Sequence, residues 1–366
     1  MTILSAETSF RVEGARAVMD DVCDHLRSHF VDVDKRPDHT ILSFSSYYGT
    51  CKFTVDGDDT TITIQSRTQT GIAIVKEEMT SHLIEHSPGL ADKIVWSGAG
   101  SELSSPAWFS LITVADVRPL TPHMRRITFL ASDSGAYADF GHIHLRLFFP
   151  QLDDRPPEWP TVTPSGLTQY PPDTSLAIRK YTCRDVDVAA GTIDIDFVLH
   201  EDAGPGSDFA LRAKPGDVIG MAGPGGLSAR LDRDWYLLAG DETALPAIAR
   251  ILETLPGTAR GVALIEVADA AEEQAIETKG KFDIRWLHRN GAAAGTTTLL
   301  IDALRTVEFP ADGSSVFVWA GCEFAAFKAI RSHVRSDRKL PNKDTLVVSY
   351  WRRNGIDNPP TSVEVE

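Results

Sequence analysis

Trp235-Tyr236-Leu237-Leu238-Ala239-Gly240-Asp241-Glu242-Thr243-Ala244-Leu245-Pro246-Ala247 decides the architecture of the C-terminal third. Residues 235–239 are uniformly apolar or aromatic, a pattern that suits a strand buried on both faces. Gly240 opens a short polar turn. Pro246 then stands in the first turn of a helix, where its missing N–H forfeits no helical bond. Beyond it the same texture repeats, with strands expected at 262–267, 282–288, 316–319 and 346–351. Helices are expected at 245–255, 270–277, 296–307 and 324–334. This β-α-β order predicts a doubly wound parallel sheet whose ligands sit at the carboxyl ends of the strands.

Upstream, the texture is different. Short strands at 108–114, 126–130, 143–149, 178–182, 192–199 and 217–221 are separated by Pro- and Gly-rich turns. The alternation Ile193-Asp194-Ile195-Asp196-Phe197 has the period of two that marks one buried and one polar face. An antiparallel β-barrel is expected, with residues 151–174 as a long loop and Gly223-Pro224-Gly225-Gly226 as the turn into the sheet. The first hundred residues read as a small α+β domain: helices at 14–30 and 71–86 and strands at 41–45, 51–55 and 61–65, with Asp56-Gly57-Asp58-Asp59 as a hairpin turn. A flexible linker is expected at 97–101. The chain is therefore expected to be multidomain: residues 1–98, 105–230 and 231–356, followed by a flexible tail at 357–366.

At 366 residues the chain exceeds one ordinary core, and 42% hydrophobic with 24% charged residues excludes extensive disorder. Fifty-one acidic against 36 basic side chains give a net charge of −15, which opposes non-specific binding to nucleic acid or to an anionic membrane. Cys23, Cys51, Cys183 and Cys322 form no C-x-x-C pair and have no nearby histidine at metal-ligand spacing, so free thiols in a reducing cytoplasm are expected and no metal site. No apolar run reaches the roughly 18 residues that a membrane-spanning helix needs, and the N-terminus lacks the apolar core of a signal peptide.

Three segments carry candidate chemistry. Arg179-Lys180-Tyr181-Thr182-Cys183-Arg184 lies on a predicted strand, where Arg179 and Tyr181 share one face and Thr182 and Arg184 the other. A guanidinium suits a pyrophosphate, a phenol ring can lie on a flat heterocycle, and a threonine hydroxyl can bond a ring nitrogen. The turn from His200 through Gly204 to Ser207 opens a short helix whose free N–H groups favour an anion, with Ser207 or Asp208 as the expected cap. In the quoted turn, Gly240, Asp241, Thr243 and Ala244 stand where a nucleotide would approach, although two carboxylates occupy it and no G-x-G-x-x-G is present.

Taken in order, R-x-Y-T-x-R, H-x-x-x-G-P-x-S, G-D-E-T-A-L-P-A, V-A-D-A-A-E-E-Q, W-A-G-C-E and Y-W-R-R-N-G resemble the siderophore-interacting protein family, flavin-dependent ferric-siderophore reductases of the ferredoxin reductase-like superfamily. The resemblance covers roughly residues 107–355. It implies FAD in the barrel, contacted by Arg179, Tyr181, Thr182 and Arg184 with His200, Gly204 and Ser207 near the phosphates, and Tyr181 and Thr182 as catalytic. It also implies a nicotinamide or electron-donor site around 240–246 and 319–323, with NADPH or NADH as donor. Glu201 and Phe209 depart from the family's usual glycine and tryptophan. The first hundred residues lie outside the resemblance and resemble a small domain of unknown role found beside such reductases.

The implied substrate is a ferric siderophore, which arrives already chelated and needs no protein metal ligand. Many iron chelates are anionic, and Lys328, Arg331, Arg335 and Arg338 recur at helical spacing with Lys343 just beyond, so a basic docking stripe is expected. An acidic ferredoxin is an alternative partner for that stripe. Glu266 after the second strand pairs better with a ribose hydroxyl than with a phosphate, which leans toward NADH, while Arg289 is an alternative 2′-phosphate ligand. Trp351 is expected to stack on flavin or nicotinamide, or else to cover the sheet edge. A flavin, quinone or ferredoxin-linked diaphorase and a non-enzymatic iron-chelate carrier are the competing functions.

Overall fold

Two compact units are formed, one by Met1–Ser110 with Pro150–Leu176 and the other by Leu111–Phe149 with Ala177–Glu366. The computed structural model describes residues 3–29, 31–44, 48–151, 156–172, 175–200, 204–226 and 228–353. The expected tail at 357–366 and Glu201 lie outside the described residues.

In the first unit, alternating side chains build a six-stranded antiparallel sheet. Its spatial order is Asp32–Lys35, Thr40–Ser43, Thr50–Asp56, Asp59–Ser66, Leu4–Arg11 and Ser97–Gly98. Sequence reading misses Leu4–Arg11, where only every second side chain (Ala6, Thr8, Phe10) is buried and the apolar signal is correspondingly thin. Helices Ala15–Ser28 and Gln69–His86 pack on each other and on the sheet. The segment 150–176, expected as a barrel loop, joins this unit. Thr80 Oγ1 donates to Ser165 O at 2.7 Å, and Trp96 Nε1 donates to Thr80 Oγ1 at 3.1 Å.

The second unit opens with a closed six-stranded barrel, ordered Leu176–Asp187, Thr192–Val198, Met124–Leu130, Phe109–Thr121, Val218–Gly225 and His144–Pro150. Ile193, Ile195 and Phe197 fill its interior as the alternation predicts. The intervening acids are answered by the neighbouring strand: Asp194 accepts from Thr128 Oγ1 at 2.6 Å, and Asp196 takes a two-pronged bond from Arg126 at 2.6 and 2.8 Å.

A five-stranded parallel sheet follows, ordered Lys281–His288, Arg260–Val267, Trp235–Gly240, Val316–Glu323 and Thr345–Trp351. All six residues of Trp235–Gly240 are buried. Helices Leu245–Thr254, Leu299–Arg305 and Phe324–Ser332 cover it. The helix expected at 270–277 is a single 3₁₀ turn, Ala270–Glu272. Asp269 caps that turn, and Glu272 is drawn inward, accepting from Thr121 Oγ1 at 2.5 Å and His123 Nδ1 at 2.7 Å. Among the described residues no helix is long and apolar enough to cross a membrane. All four cysteines are free and buried.

Candidate active site

The strand Leu176–Asp187 brings the basic motif to the edge of the barrel that faces the parallel sheet. Tyr181 lies with its ring centroid 4.5 Å from Phe197 and 6.2 Å from Phe149, inside an aromatic cluster that also holds Phe209. Burial pushes its phenol well above the usual range, opposed by the charge of Arg179. A Cβ on Gly206 would fall 1.9 Å from the Tyr181 hydroxyl oxygen, so only glycine lets this ring and the helix start approach so closely. Arg179 is half-buried and donates to the carbonyl of Ile178 at 2.9 Å.

Thr182 is buried, and its hydroxyl favours the charged form of the nearby phenol of Tyr350, which stands on the last parallel strand. The Tyr350 hydroxyl also lies 3.2 Å from His144 Nε2. Burial, aided by the nearby Lys180 cation, pushes the His144 imidazole down to about 4, so the ring is neutral near pH 7. Burial raises the Tyr350 phenol, which therefore keeps its proton. Sequence reading misses His144, which belongs to no motif, and gives no role to Tyr350 within Y-W-R-R-N-G, because only the fold brings the two together.

A bulge between Cys183 and Asp185 turns Arg184 toward the helix Leu245–Thr254. There its two terminal nitrogens grip Glu253 at 2.7 and 2.5 Å. Arg250, three residues earlier on that helix, donates to the carbonyls of Cys183 at 2.6 Å and Tyr137 at 2.8 Å. Arg184, expected at the flavin, thus belongs to a barrel-to-sheet clamp. The signal for the clamp is the i, i+3 pair Arg250 and Glu253, which share one face of that helix.

His200 is exposed, and its N–H donates to Ser207 Oγ at 3.2 Å. The cap of helix Pro205–Arg212 lies three or four residues earlier than expected: Gly204 is the N-cap and Pro205 occupies the first turn, with Ser207 buried and Asp208 paired to Arg212. Proline's fixed φ wins over the capping preference of Ser207 and Asp208. Phe209, where the family usually has tryptophan, is a core residue of the aromatic cluster.

At the sheet's carboxyl ends, Asp241 does not cap the helix, whose N-cap is Ala244. Its carboxylate instead accepts from Thr243 N at 3.0 Å, Thr243 Oγ1 at 2.5 Å, Glu323 N at 3.1 Å and Trp351 Nε1 at 2.8 Å. Burial raises its pKa against the hydrogen bonds from Thr243 and Trp351. Trp351 is thus held by Asp241 and packs against Gly295. Gly240 is demanded by packing: a Cβ there would lie 2.6 Å from Ala244 Cβ and 2.7 Å from the Gly321 carbonyl. Asp241, Glu266 and Glu323 line one small recess with Gly295, Thr297 and Ala325. Glu266 is taken by Thr297 at 2.9 Å, and Arg289, forked onto Glu242 at 2.9 and 2.5 Å and only 6% exposed, is unavailable as a 2′-phosphate ligand.

The expected basic stripe is broken. The α-helix ends at Ser332 and a π-helical turn, His333–Asp337, shifts the register. Lys328, Arg331, Arg335 and Lys343 are exposed, Lys328 and Arg331 lying over Phe324 and Phe327. Arg338 turns inward onto His333, the Val307 carbonyl and the Phe309 ring.

The donor set fits a dinucleotide in the barrel: the cations Arg179 and Lys180, the Thr182 hydroxyl, and an eight-residue helix opening on the tightly approached Gly206. Comparison with known proteins agrees. A model described as siderophore-interacting FAD-binding domain matches residues 113–228, and one described as siderophore-interacting protein matches 233–354. A siderophore utilization protein from T. fusca has a solved structure that is 39% identical, with a TM-score of 0.58 over 68% of this chain and 94% of that one. The NADPH-dependent ferric-chelate reductase of Escherichia coli is 31% identical over 66% of this chain and 92% of its own length. The ferric vibriobactin reductase of Vibrio cholerae is 29% identical over 64% of this chain and 86% of its own length. With its FAD-binding barrel coupled to a parallel-sheet domain, the chain belongs to the siderophore-interacting protein family.

Proposed function

We propose that the chain is an FAD-dependent reductase of ferric siderophores that releases iron as Fe(II) in the cytoplasm, with NADPH or NADH as electron donor. The observation that carries this reading is the 3.2 Å contact between His144 of the barrel and the Tyr350 hydroxyl on the last parallel strand, which brings the motif strand of the barrel beside the carboxyl ends of the sheet. FAD, when bound, accepts hydride from a nicotinamide and passes electrons singly to ferric iron. Arg179 and the helix start at Gly204–Ser207 would hold its pyrophosphate, and Tyr181 and Thr182 its ring system. The aromatic cluster around Tyr181 excludes water from that side. Tyr350 keeps its proton beside Thr182, and neutral His144 accepts from Tyr350 without adding charge.

Fe(II) is a poorer match than Fe(III) for hard oxygen chelators, so reduction loosens the chelate without any protein ligand to the metal. The exposed cations Lys328, Arg331 and Arg335 suit an anionic chelate. A second reading of the donor is favoured by the recess at the strand ends, since Asp241, Glu266 and Glu323 oppose a phosphate seated there. On that reading a ferredoxin supplies the electrons instead, docking on the same exposed cations. Arg179→Ala tests the cofactor assignment: flavin per chain falls at least several-fold if Arg179 holds the pyrophosphate, and unchanged flavin content refutes it.

A further inference from the structure

The first unit contains a histidine constellation that the reductase chemistry does not use. Its two packed helices each end in an H-x-x-x-H pair: His25 with His29 just past the end of Ala15–Ser28, and His82 with His86 in Gln69–His86. Four residues make one helical turn, so the two members of each pair share a face. The helices bring those faces together. One ring nitrogen each from His25, His29 and His82 lies within 4.8 Å of the others. Ring centroids are 4.6 Å apart for His25 and His82, 4.9 Å for His25 and His29, and 5.3 Å for His29 and His82.

We propose that His25, His29 and His82 bind a divalent late first-row transition-metal ion of the Zn²⁺ class. Imidazole is the donor such ions prefer, and three histidines with an open fourth position make a complete tetrahedral site. Nitrogens around a tetrahedral zinc stand about 3.4 Å apart. Closing from the observed spacing calls on side-chain rotation of the exposed His29 toward His25 and His82.

The surroundings are those of an oriented ligand set. His82 is buried, and its Nδ1 lies 2.8 Å from the Glu78 carbonyl, which leaves Nε2 for the metal. Nδ1 of His25 lies 3.3 Å from His86 Nε2, so His86 positions His25 in the same way. Such bonds to the far nitrogen fix the tautomer and raise ligand basicity. The carboxylates of Glu85 and Glu78 stand 3.6 and 3.8 Å from the Nδ1 atoms of His25 and His82, adding negative charge that favours a dication. Packed aromatic rings alone do not account for this choice of side chain. The sequence reading expects no metal site because it seeks ligands close together in the chain, and these pairs lie 53 or more positions apart.

The test uses the full chain without a polyhistidine tag, stripped with a chelator and titrated with Zn²⁺ by isothermal titration calorimetry. One Zn²⁺ per chain is expected. His29→Gln, which replaces an exposed ring, is expected to keep the native melting curve and weaken binding at least tenfold. His25→Gln with His82→Gln is expected to abolish binding. No saturable binding at one equivalent overturns the proposal, as does the same Kd in the wild type and all these variants. None of these outcomes depends on the flavin or on the reductase reading.

Discussion

Arg184 of the barrel and Glu253 of the first covering helix of the parallel sheet form a two-pronged ion pair, with N···O distances of 2.7 and 2.5 Å. Both carboxylate oxygens are engaged, and the guanidinium is 12% exposed. The pair lies beside the bonds from Arg250 to the barrel carbonyls, so it holds the two domains in register. Glu253→Ala is therefore expected to lower stability by about 1–3 kcal/mol while leaving flavin per chain unchanged, read by thermal melts and the visible spectrum. A loss of flavin at full stability would return Arg184 to the cofactor site.

Gly206→Ala sets a methyl group against the Tyr181 hydroxyl, where 1.9 Å is available. The ring cannot retreat without disturbing Phe197 and Phe149. A loss of about 1–3 kcal/mol is expected from overpacking, together with weaker flavin binding. Adding Tyr181→Phe removes the clashing oxygen and is expected to restore part of the melting temperature. No rescue would show that the tight approach is not to the phenol.

His144 makes stability depend on pH. Its pKa is depressed from 6.5 to about 4, so between those values the unfolded chain binds more protons than the folded one. Stability is complete above about pH 6.5 and falls as pH drops toward 4. The loss is of order 3 kcal/mol at most. His144→Gln is expected to flatten that part of the curve in denaturant titrations across pH 4–7. An unchanged slope would assign the acid sensitivity to other groups.

The surface cations divide into two kinds. Neutralising Lys328, Arg331 and Arg335 together is expected to raise KM for anionic ferric chelates several-fold, leave kcat unchanged and reduce the salt dependence of kcat/KM. Arg338→Ala is expected to lower the melting temperature through lost bonds to Val307 and His333, with KM unchanged. Equal KM at low salt for the triple variant would remove this surface from substrate docking.

The fold is largely legible wherever burial is periodic. Ile193, Ile195 and Phe197 mark the barrel by alternation, and the buried run 235–239 marks the parallel sheet. Reading fails where a side chain far along the chain decides the outcome. Glu272 is drawn to Thr121 and His123, so the expected helix at 270–277 shrinks to one turn. The π-helical turn at 333–337 breaks a stripe that ideal α-helical spacing predicts. At the candidate site, the motif singles out Tyr181 and Thr182, and the fold buries Thr182 and sets Tyr181 in an aromatic cluster. The pairing of His144 with Tyr350 is invisible before folding, because the two residues lie far apart in the chain and His144 carries no local signature.

The central claim is that flavin in the barrel reduces chelated Fe(III). Its most direct test is the visible spectrum of the purified protein during addition of NADH or NADPH, followed by a ferric siderophore with an Fe(II) trap. Flavin bands that bleach with a nucleotide and return as trapped Fe(II) accumulates are the predicted result. Bands that bleach only with a reduced ferredoxin would keep the reductase and change the donor. Flavin that turns over with quinones or free flavin but yields no Fe(II), or a protein that takes up no flavin, would contradict the account.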